Sequence, residues 1–217
     1  MKNKYQKYLD DKLYLDIKDL MLIIHNKIGK PKEQSKYFDE LRKLISTKES
    51  FQIFFNDFMD NKDETIDFTF FDAFIQVFNE EKIELFIEFY EDYAKKNNLV
   101  KYNKIFKYFE KDYGNNLIKN QALQVFNMII SFSKPNKQYD LLVEFMEKGI
   151  FDLLDDMIKI KDKLIEGQLK LFLGFAKTIL KQSDKNDKNF NKLQNKFKNL
   201  EEDKKFYDKT LDDFVVM

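Results

Sequence analysis

Apolar residues recur at steps of three and four along most of this chain, the spacing of an amphipathic helix. The first such run predicts a helix from Tyr5 to Ile28, with Leu9, Leu13, Ile17, Leu20, Met21 and Ile24 on one face. Gly29-Lys30-Pro31 ends it: a C-cap glycine, then a proline suited to the first turn of the next helix. Tyr37, Phe38, Leu41, Leu44 and Ile45 mark a second helix. Ser46-Thr47-Lys48-Glu49 has capping-box spacing, with Ser46 as N-cap and Glu49 reaching back. The third helix carries Phe51, Phe54, Phe55 and Phe58 and breaks at Asp60-Asn61-Lys62-Asp63. Ile66 to Phe78 is apolar on most sides and predicts a helix buried between neighbours. Within it Phe68-Thr69-Phe70 alternates like a strand, but is too short and isolated to pair. Helices are expected at Glu80 to Ala94 and at Leu99 to Tyr113, the latter stopped by Gly114.

From Asn115 to Leu180 the rhythm becomes long, short, short, long. A long apolar helix, Leu117 to Phe132, ends at Ser133-Lys134-Pro135-Asn136. A short helix stops at Gly149, another runs Ile150 to Ile160, and Leu164 to Leu180 closes the unit. Internal similarity accompanies the rhythm. Leu85-Phe86-Ile87-Glu88-Phe89-Tyr90-Glu91 resembles Leu141-Leu142-Val143-Glu144-Phe145-Met146-Glu147. Ala73 to Asn79 resembles Ala122 to Asn127 with one residue skipped, and Leu117 to Gln121 resembles Leu164 to Gln168. The offsets, 56, 48 and 47 residues, sit at or beyond the long end of the ~40–47 of armadillo and HEAT repeats. Chance matching of Leu, Phe and Glu explains one such pair; three in the same serial order favour a degenerate repeat.

Beyond a polar break at Ser183 to Lys188, Phe190, Leu193, Phe197, Leu200, Lys204, Tyr207, Leu211 and Phe214 alternate at steps of three and four. This a/d seam, with Lys204 as its polar interruption, either caps the last repeat or zips to another helix as a coiled coil. Phe is unusual at the core of a dimeric coiled coil, which favours the cap. The chain therefore divides into a helical repeat domain, 1–182, and a break with a heptad-patterned helix, 183–217.

Asn120 to Asn127 is similar to the third helix of an armadillo repeat, and Glu144 to Leu154 looks like the turn joining its first and second helices. Within that class, Glu144 to Phe172 most resembles the formin homology 3 region of diaphanous-type formins. The Glu-Phe-Met-x-x-Gly-Ile turn, Leu153-Leu154-Asp155-Asp156-Met157 and Gln168-Leu169-Lys170-Leu171-Phe172 carry the likeness, about thirty residues in all. The calcium-binding protein 39 family has similar texture. The formin resemblance implies a regulatory armadillo domain that contacts Rho-type GTPases and an autoinhibitory tail, followed by dimerising helices. These residues hold neither a proline-rich segment nor the length of an actin-nucleating formin homology 2 domain, so the scaffold is implied more strongly than the GTPase function. Armadillo domains also hold an extended peptide's backbone through an Asn on the third helix, an amide offering both donor and acceptor. By the resemblance Asn79 and Asn127 fall there, with Gln76 and Gln124 nearby; the next repeat offers Leu173 or Gly174 instead.

Composition narrows the partner. Lys plus Arg and Asp plus Glu number 38 each, which argues against nucleic acid, since neutralising phosphates needs a basic excess. Cysteine is absent, excluding disulfides and thiolate metal sites and suiting a reducing compartment. No apolar run reaches the ~18–20 residues of a membrane span. The opening Met1 to Tyr5 lacks a signal-peptide apolar region, and Asp10, Asp11, Asp16 and Asp19 oppose a transit peptide, so a cytoplasmic, cytoskeleton-linked chain is expected. His25 is the only histidine and reads as a satisfied donor near a helix end. Asp155-Asp156, Glu201-Glu202-Asp203, Asp212-Asp213 and Asp57-Asp60-Asp63-Glu64 lack calcium-loop spacing and read as solvated faces. No phosphate loop, nucleophile elbow or zinc pattern occurs, so no enzyme and no cofactor is expected. The 24 Phe lack an RNA-binding signature and sit mostly at core spacing. The reading is all-α: a right-handed α-solenoid of armadillo or HEAT type, about ten or eleven helices, closed by a capping or coiled-coil helix. Its expected work is protein–protein scaffolding, with a small GTPase or cytoskeletal component as partner and a homo-oligomer through the last helix as a further option. The alternative is a fixed subunit of a large cytoskeletal or ciliary assembly.

Overall fold

The computed structural model describes residues 4–99, 102–160 and 162–202. Among these the chain is all helical, with no strand. The α-helices are α1 (Lys4–His25), α2 (Pro31–Leu44), α3 (Lys48–Asp60), α4 (Glu64–Val77), α5 (Glu80–Asn97), α6 (Asn103–Phe106), α7 (Asn116–Phe132), α8 (Pro135–Glu147), α9 (Ile150–Ile158), α10 (Lys163–Gln182) and α11 (Phe190–Glu202). The single turn of α6 continues into a 3-10 turn at Lys107–Phe109. The chain forms two compact units, Met1–Lys104 and Ile105–Met217. The division thus falls inside the 1–182 stretch read as one repeat domain, and the described part of the tail, α11, packs onto α8, α9 and α10.

The first unit is built on aromatic rings. Phe51, Phe54, Phe55 and Phe58 of α3 are all buried against α4 and α5. Phe74 stands at the centre, edge-on to Phe58 at 4.9 Å and against Phe78 at 4.7 Å. Such ring pairs contribute about 0.5–1.5 kcal/mol each beyond the area they bury. Phe70 and Phe71 belong to α4 and are buried there, so the Phe68-Thr69-Phe70 alternation is helical.

Two local expectations are corrected. The capping box starts one residue later than expected: Thr47, not Ser46, is the N-cap, and Ser50, not Glu49, reaches back to it. Ser46 is held by its own N–H to the Lys43 carbonyl in the last turn of the preceding helix. The helix expected over Leu99 to Tyr113 is reduced to α6 and the 3-10 turn. Asn98 closes α5 in the left-handed conformation, and Tyr102 is left-handed as well, at φ 52° and 59°. The buried Tyr102 ring lies 4.9 Å from that of Tyr90, whose hydroxyl accepts the backbone N–H of Lys104 at 3.1 Å. Side-chain packing on α5 thus overrides helical periodicity across this segment.

Buried lysines hold the ends of several segments. Lys104, 7% exposed, donates to the Phe58 and Asn61 carbonyls where α3 ends. It also lies 3.2 Å from Asp67, itself 1% exposed and bound by the Asn61 amide at 2.8 Å. Lys82 donates to the Ser46 carbonyl at 2.8 Å. In the second unit, Lys119 donates to the Tyr108 and Glu110 carbonyls. Each ammonium bonds carbonyls near a helix or turn end, where intrahelical partners run out, and burial pulls the Lys119 amine below its usual range.

In the second unit Phe126 of α7 is the hub, 4.8 Å from Phe145, 5.4 Å from Phe109 and 5.4 Å from Phe172. The first half of the tail seam, Phe190, Leu193, Phe197 and Leu200, is buried. Phe197 packs edge-on to Phe151 at 4.9 Å. This half of the seam lies against α8, α9 and α10. Tyr207, Leu211 and Phe214 lie outside the described residues.

Candidate partner-binding face

Helices α7 and α10 of the second unit pack against each other. Both begin at an N-cap with a short polar side chain. Asn115 accepts the Leu117 and Ile118 N–H groups at 3.0 and 3.1 Å; Asp162 accepts those of Leu164 and Ile165 at 2.9 and 3.3 Å. The Asn116 amide donates to Asp162 at 3.2 Å and ties the two helix starts together. Further along, the Asn127 amide donates to the backbone and side-chain oxygens of Gln168 at 2.9 and 3.0 Å. These two ties ascend together, so the helices run parallel, packed along each other.

One side of each helix is core. In α10 it is Ile165, Leu169, Phe172, Leu173, Ala176, Ile179 and Leu180. The other side departs from the usual polar exterior. Leu164 is 59% exposed and Leu171 52%; Gly167 lies between them and Gly174 follows, each with nothing described within 4 Å of the place a Cβ would occupy. Leu164, Gly167, Leu171, Gly174 and Thr178 follow steps of three, four, three and four, a single stripe. On α7 the same steps give Leu117, Asn120, Gln124, Asn127 and Ser131, with Leu117 51% exposed.

Of the clamp residues expected from sequence, Gln124 and Asn127 share this face of α7, and only one of them is accessible. Gln124 is half-buried, whereas Asn127 is 4% exposed and its amide nitrogen is taken up by Gln168. Gln76 and Asn79 belong to the first unit. Gln76 is exposed and its carbonyl accepts Arg42 at 2.8 Å. Asn79 is not on a helix face at all: α4 ends at Val77, and Asn79 is the N-cap of α5, accepting the Lys82 N–H at 3.0 Å. The physical cause is helix length: α4 stops two residues before Asn79, whereas α7 runs on to Phe132, past Asn127. An asparagine ladder of two equivalent rungs therefore does not form.

The stripe on α10 escapes sequence reasoning because its leucines read as core. The signal is present: two leucines and two glycines at three-and-four spacing opposite a complete apolar face. The remaining candidates have local duties. His25 ends α1 and hydrogen-bonds Thr69 Oγ1 through Nδ1 at 2.9 Å. Asp155 and Asp156 both pair with Lys159, at 2.8 and 2.9 Å. Asp63 caps α4, its carboxyl held below the usual range by the hydrogen bonds from Thr65, and burial raises that of Asp57. Among the described residues no group of three or more His, Asp or Glu is placed to hold a metal ion, and no helix is long and apolar enough to cross a membrane.

An open cleft of about 380 Å³ lies where the start of α8 meets the end of α10 and the following loop. There the Tyr139 hydroxyl donates to Asp187 at 2.7 Å. Burial and this hydrogen bond push the Tyr139 phenol up to about 12, and the same bond lowers the Asp187 carboxyl. No protein-family model matches the chain, and no curated protein or solved structure shows significant similarity to it.

Proposed function

We propose that this chain is a non-enzymatic, protein-binding helical scaffold, an α-solenoid of armadillo type that engages its partner through the α7–α10 face. The observation that carries the reading is the pair Leu164 and Leu171, each more than half exposed on a helix whose opposite side is buried. Single exposed leucines need no explanation. A stripe of them flanked by open glycines, beside a second helix with the same spacing, is the kind of surface another protein covers. The solenoid reading is supported by the parallel α7 and α10, alike in sequence 47 residues apart and separated by two shorter helices. Stacking of such units is how repeat proteins bury a continuous core. The formin-like turn also has the geometry its residues suggest: Gly149 joins α8 to α9 at φ +74°. On this reading the partner is a small GTPase or a cytoskeletal component.

A second reading, a fixed subunit of a large cytoskeletal or ciliary assembly, is favoured by another surface. Leu15, Leu22 and Ile23 of α1 are 56, 43 and 40% exposed, a second apolar patch that permanent assembly would cover. Native co-purification of tagged protein over a sizing column separates the two. A small species retaining its partner only with a GTP analogue supports the regulatory scaffold. Elution in a large stoichiometric complex supports the fixed subunit and sinks the switchable one.

A further inference from the structure

We infer that α1 docks on α1 of a second copy of this chain, antiparallel across a two-fold axis, with Leu15 at the centre of the pair. The inference is independent of the α7–α10 reading. It concerns the first unit and the side of α1 that turns away from the core.

That side is set by the helix period. Ile17, Leu20, Met21 and Ile24 are buried, and at 3.6 residues per turn they share one side of α1. Leu15 and Leu22, seven residues apart and 56 and 43% exposed, stand on the opposite side, with Ile23 next to Leu22. A leucine stripe at heptad spacing, opposite a complete core face, is a surface that another helix covers.

Charge says which helix. Both edges of the stripe carry exposed ionisable residues, and each edge holds one acid and one base seven residues apart. On one edge Asp11 precedes Lys18; on the other Lys12 precedes Asp19. In an antiparallel pair related by a two-fold axis, each edge meets its own counterpart read in reverse. Asp11 then faces Lys18 of the second copy and Lys12 faces its Asp19, each pairing occurring twice about the central Leu15. Antiparallel packing also sets the positive N-terminal end of each α1 beside the negative C-terminal end of the other.

The two kinds of residue do different work. Exposed ion pairs add little affinity; they select partner and orientation. Burial of Leu15 in both copies supplies the attraction. Lys18 has a duty within its own copy as well: its ammonium lies 5.8 Å from the centre of the Tyr14 ring, and its charge bears on Asp57 of α3. The test therefore leaves Lys18 in place.

That test is sedimentation velocity of the full chain over a range of concentrations, with circular dichroism melts to show that each variant is folded. The wild-type chain is expected to pass from monomer to dimer as concentration rises. Leu15 enters a two-fold interface twice, so Leu15→Asp should raise the dissociation constant at least ~10-fold. Lys12→Asp alone leaves its edge wholly acidic and Asp19→Lys alone leaves it wholly basic, so each should weaken self-association. An equimolar mixture of those two variants should dimerise more tightly than either alone, and less so as salt rises. A wild-type chain that stays monomeric at every concentration overturns the second copy and leaves the patch to a foreign subunit. A dimer indifferent to Leu15→Asp overturns the α1 interface. Failure of the mixture to recover overturns the antiparallel charge pairing.

Discussion

Lys104 enters the core of the first unit with its ammonium set between Asp67 and the carbonyls of Phe58 and Asn61. These partners come from the end of α3 and from α4, so the cluster joins both to the segment after α5. Removing one member of a buried, hydrogen-bonded ion pair leaves the other charge uncompensated and costs about 3–5 kcal/mol. We expect Asp67→Ala to lower unfolding free energy by that order in urea titration, and Asp67→Ala with Lys104→Met to lose less than the sum of the single changes. Additive losses would show that the pair is not coupled. A second residue-scale expectation concerns pH. Tyr139 has its folded pKa raised to about 12, so its contribution is held below its unfolded value near 10 and lost as pH climbs from about 10 to 12. Asp187 has its folded pKa lowered, so its contribution is present above about pH 4 and lost as pH falls through the folded value. Tyr139→Phe should flatten both limbs of the stability–pH curve, as measured by chemical denaturation at each pH; an unchanged acid limb would contradict the shared hydrogen bond. At this scale the sequence was least legible. A lysine within Leu117-Ile118-Lys119 or before Ile105-Phe106 hints at burial, but nothing local says which carbonyls it will meet.

At the scale of elements, glycine and asparagine positions carry most of the punctuation. Gly29, Gly114 and Gly149 all adopt positive φ, where a side chain is disfavoured by about 1–2 kcal/mol. Their surroundings differ. A Cβ at Gly29 meets nothing within 4 Å, whereas one at Gly114 would stand 2.9 Å from Ile118 Cγ2 and 3.0 Å from Tyr108 Cδ1. Overpacking adds about 1–3 kcal/mol. Gly114→Ala should therefore lower Tm clearly more than Gly29→Ala; equal shifts would mean that Ile118 and Tyr108 yield freely. The breaks at Gly29, Asp60 to Asp63, Ser133 and Gly149 were legible because turn chemistry and the loss of apolar periodicity coincide there. The segment from Leu99 to Tyr113 was not. Its apolar spacing fits a helix, and only contact with Tyr90 on the preceding helix diverts it. Ser46 is passed over because the capping bonds form one residue on, between Thr47 and Ser50, while the Ser46 N–H bonds back into the turn that ends α2.

For the molecule as a whole, the all-helical class was legible from periodicity, and so was the sequence of long and short helices from Asn116 to Gln182. Phe190, Leu193, Phe197 and Leu200 were expected either to cap the preceding helices or to zip to another helix; within the described residues they are buried, and α11 packs on α8, α9 and α10. The proposed docking face was half legible: the polar side of α7 stands out in the sequence, while the α10 stripe reads as core, since leucine spacing alone does not tell which side of a helix is covered. The absence of cysteine from the sequence makes that face easy to interrogate. Single replacements Leu171→Cys on the stripe and Asn195→Cys on the exposed side of α11 give one thiol each in an otherwise thiol-free chain. The decisive measurement is the rate of maleimide labelling of each thiol in the free chain and in the complex purified with its native partner. The account predicts that the partner slows labelling of Leu171→Cys at least ~10-fold while Asn195→Cys reacts at its free rate. Equal labelling of Leu171→Cys with and without the partner would contradict it.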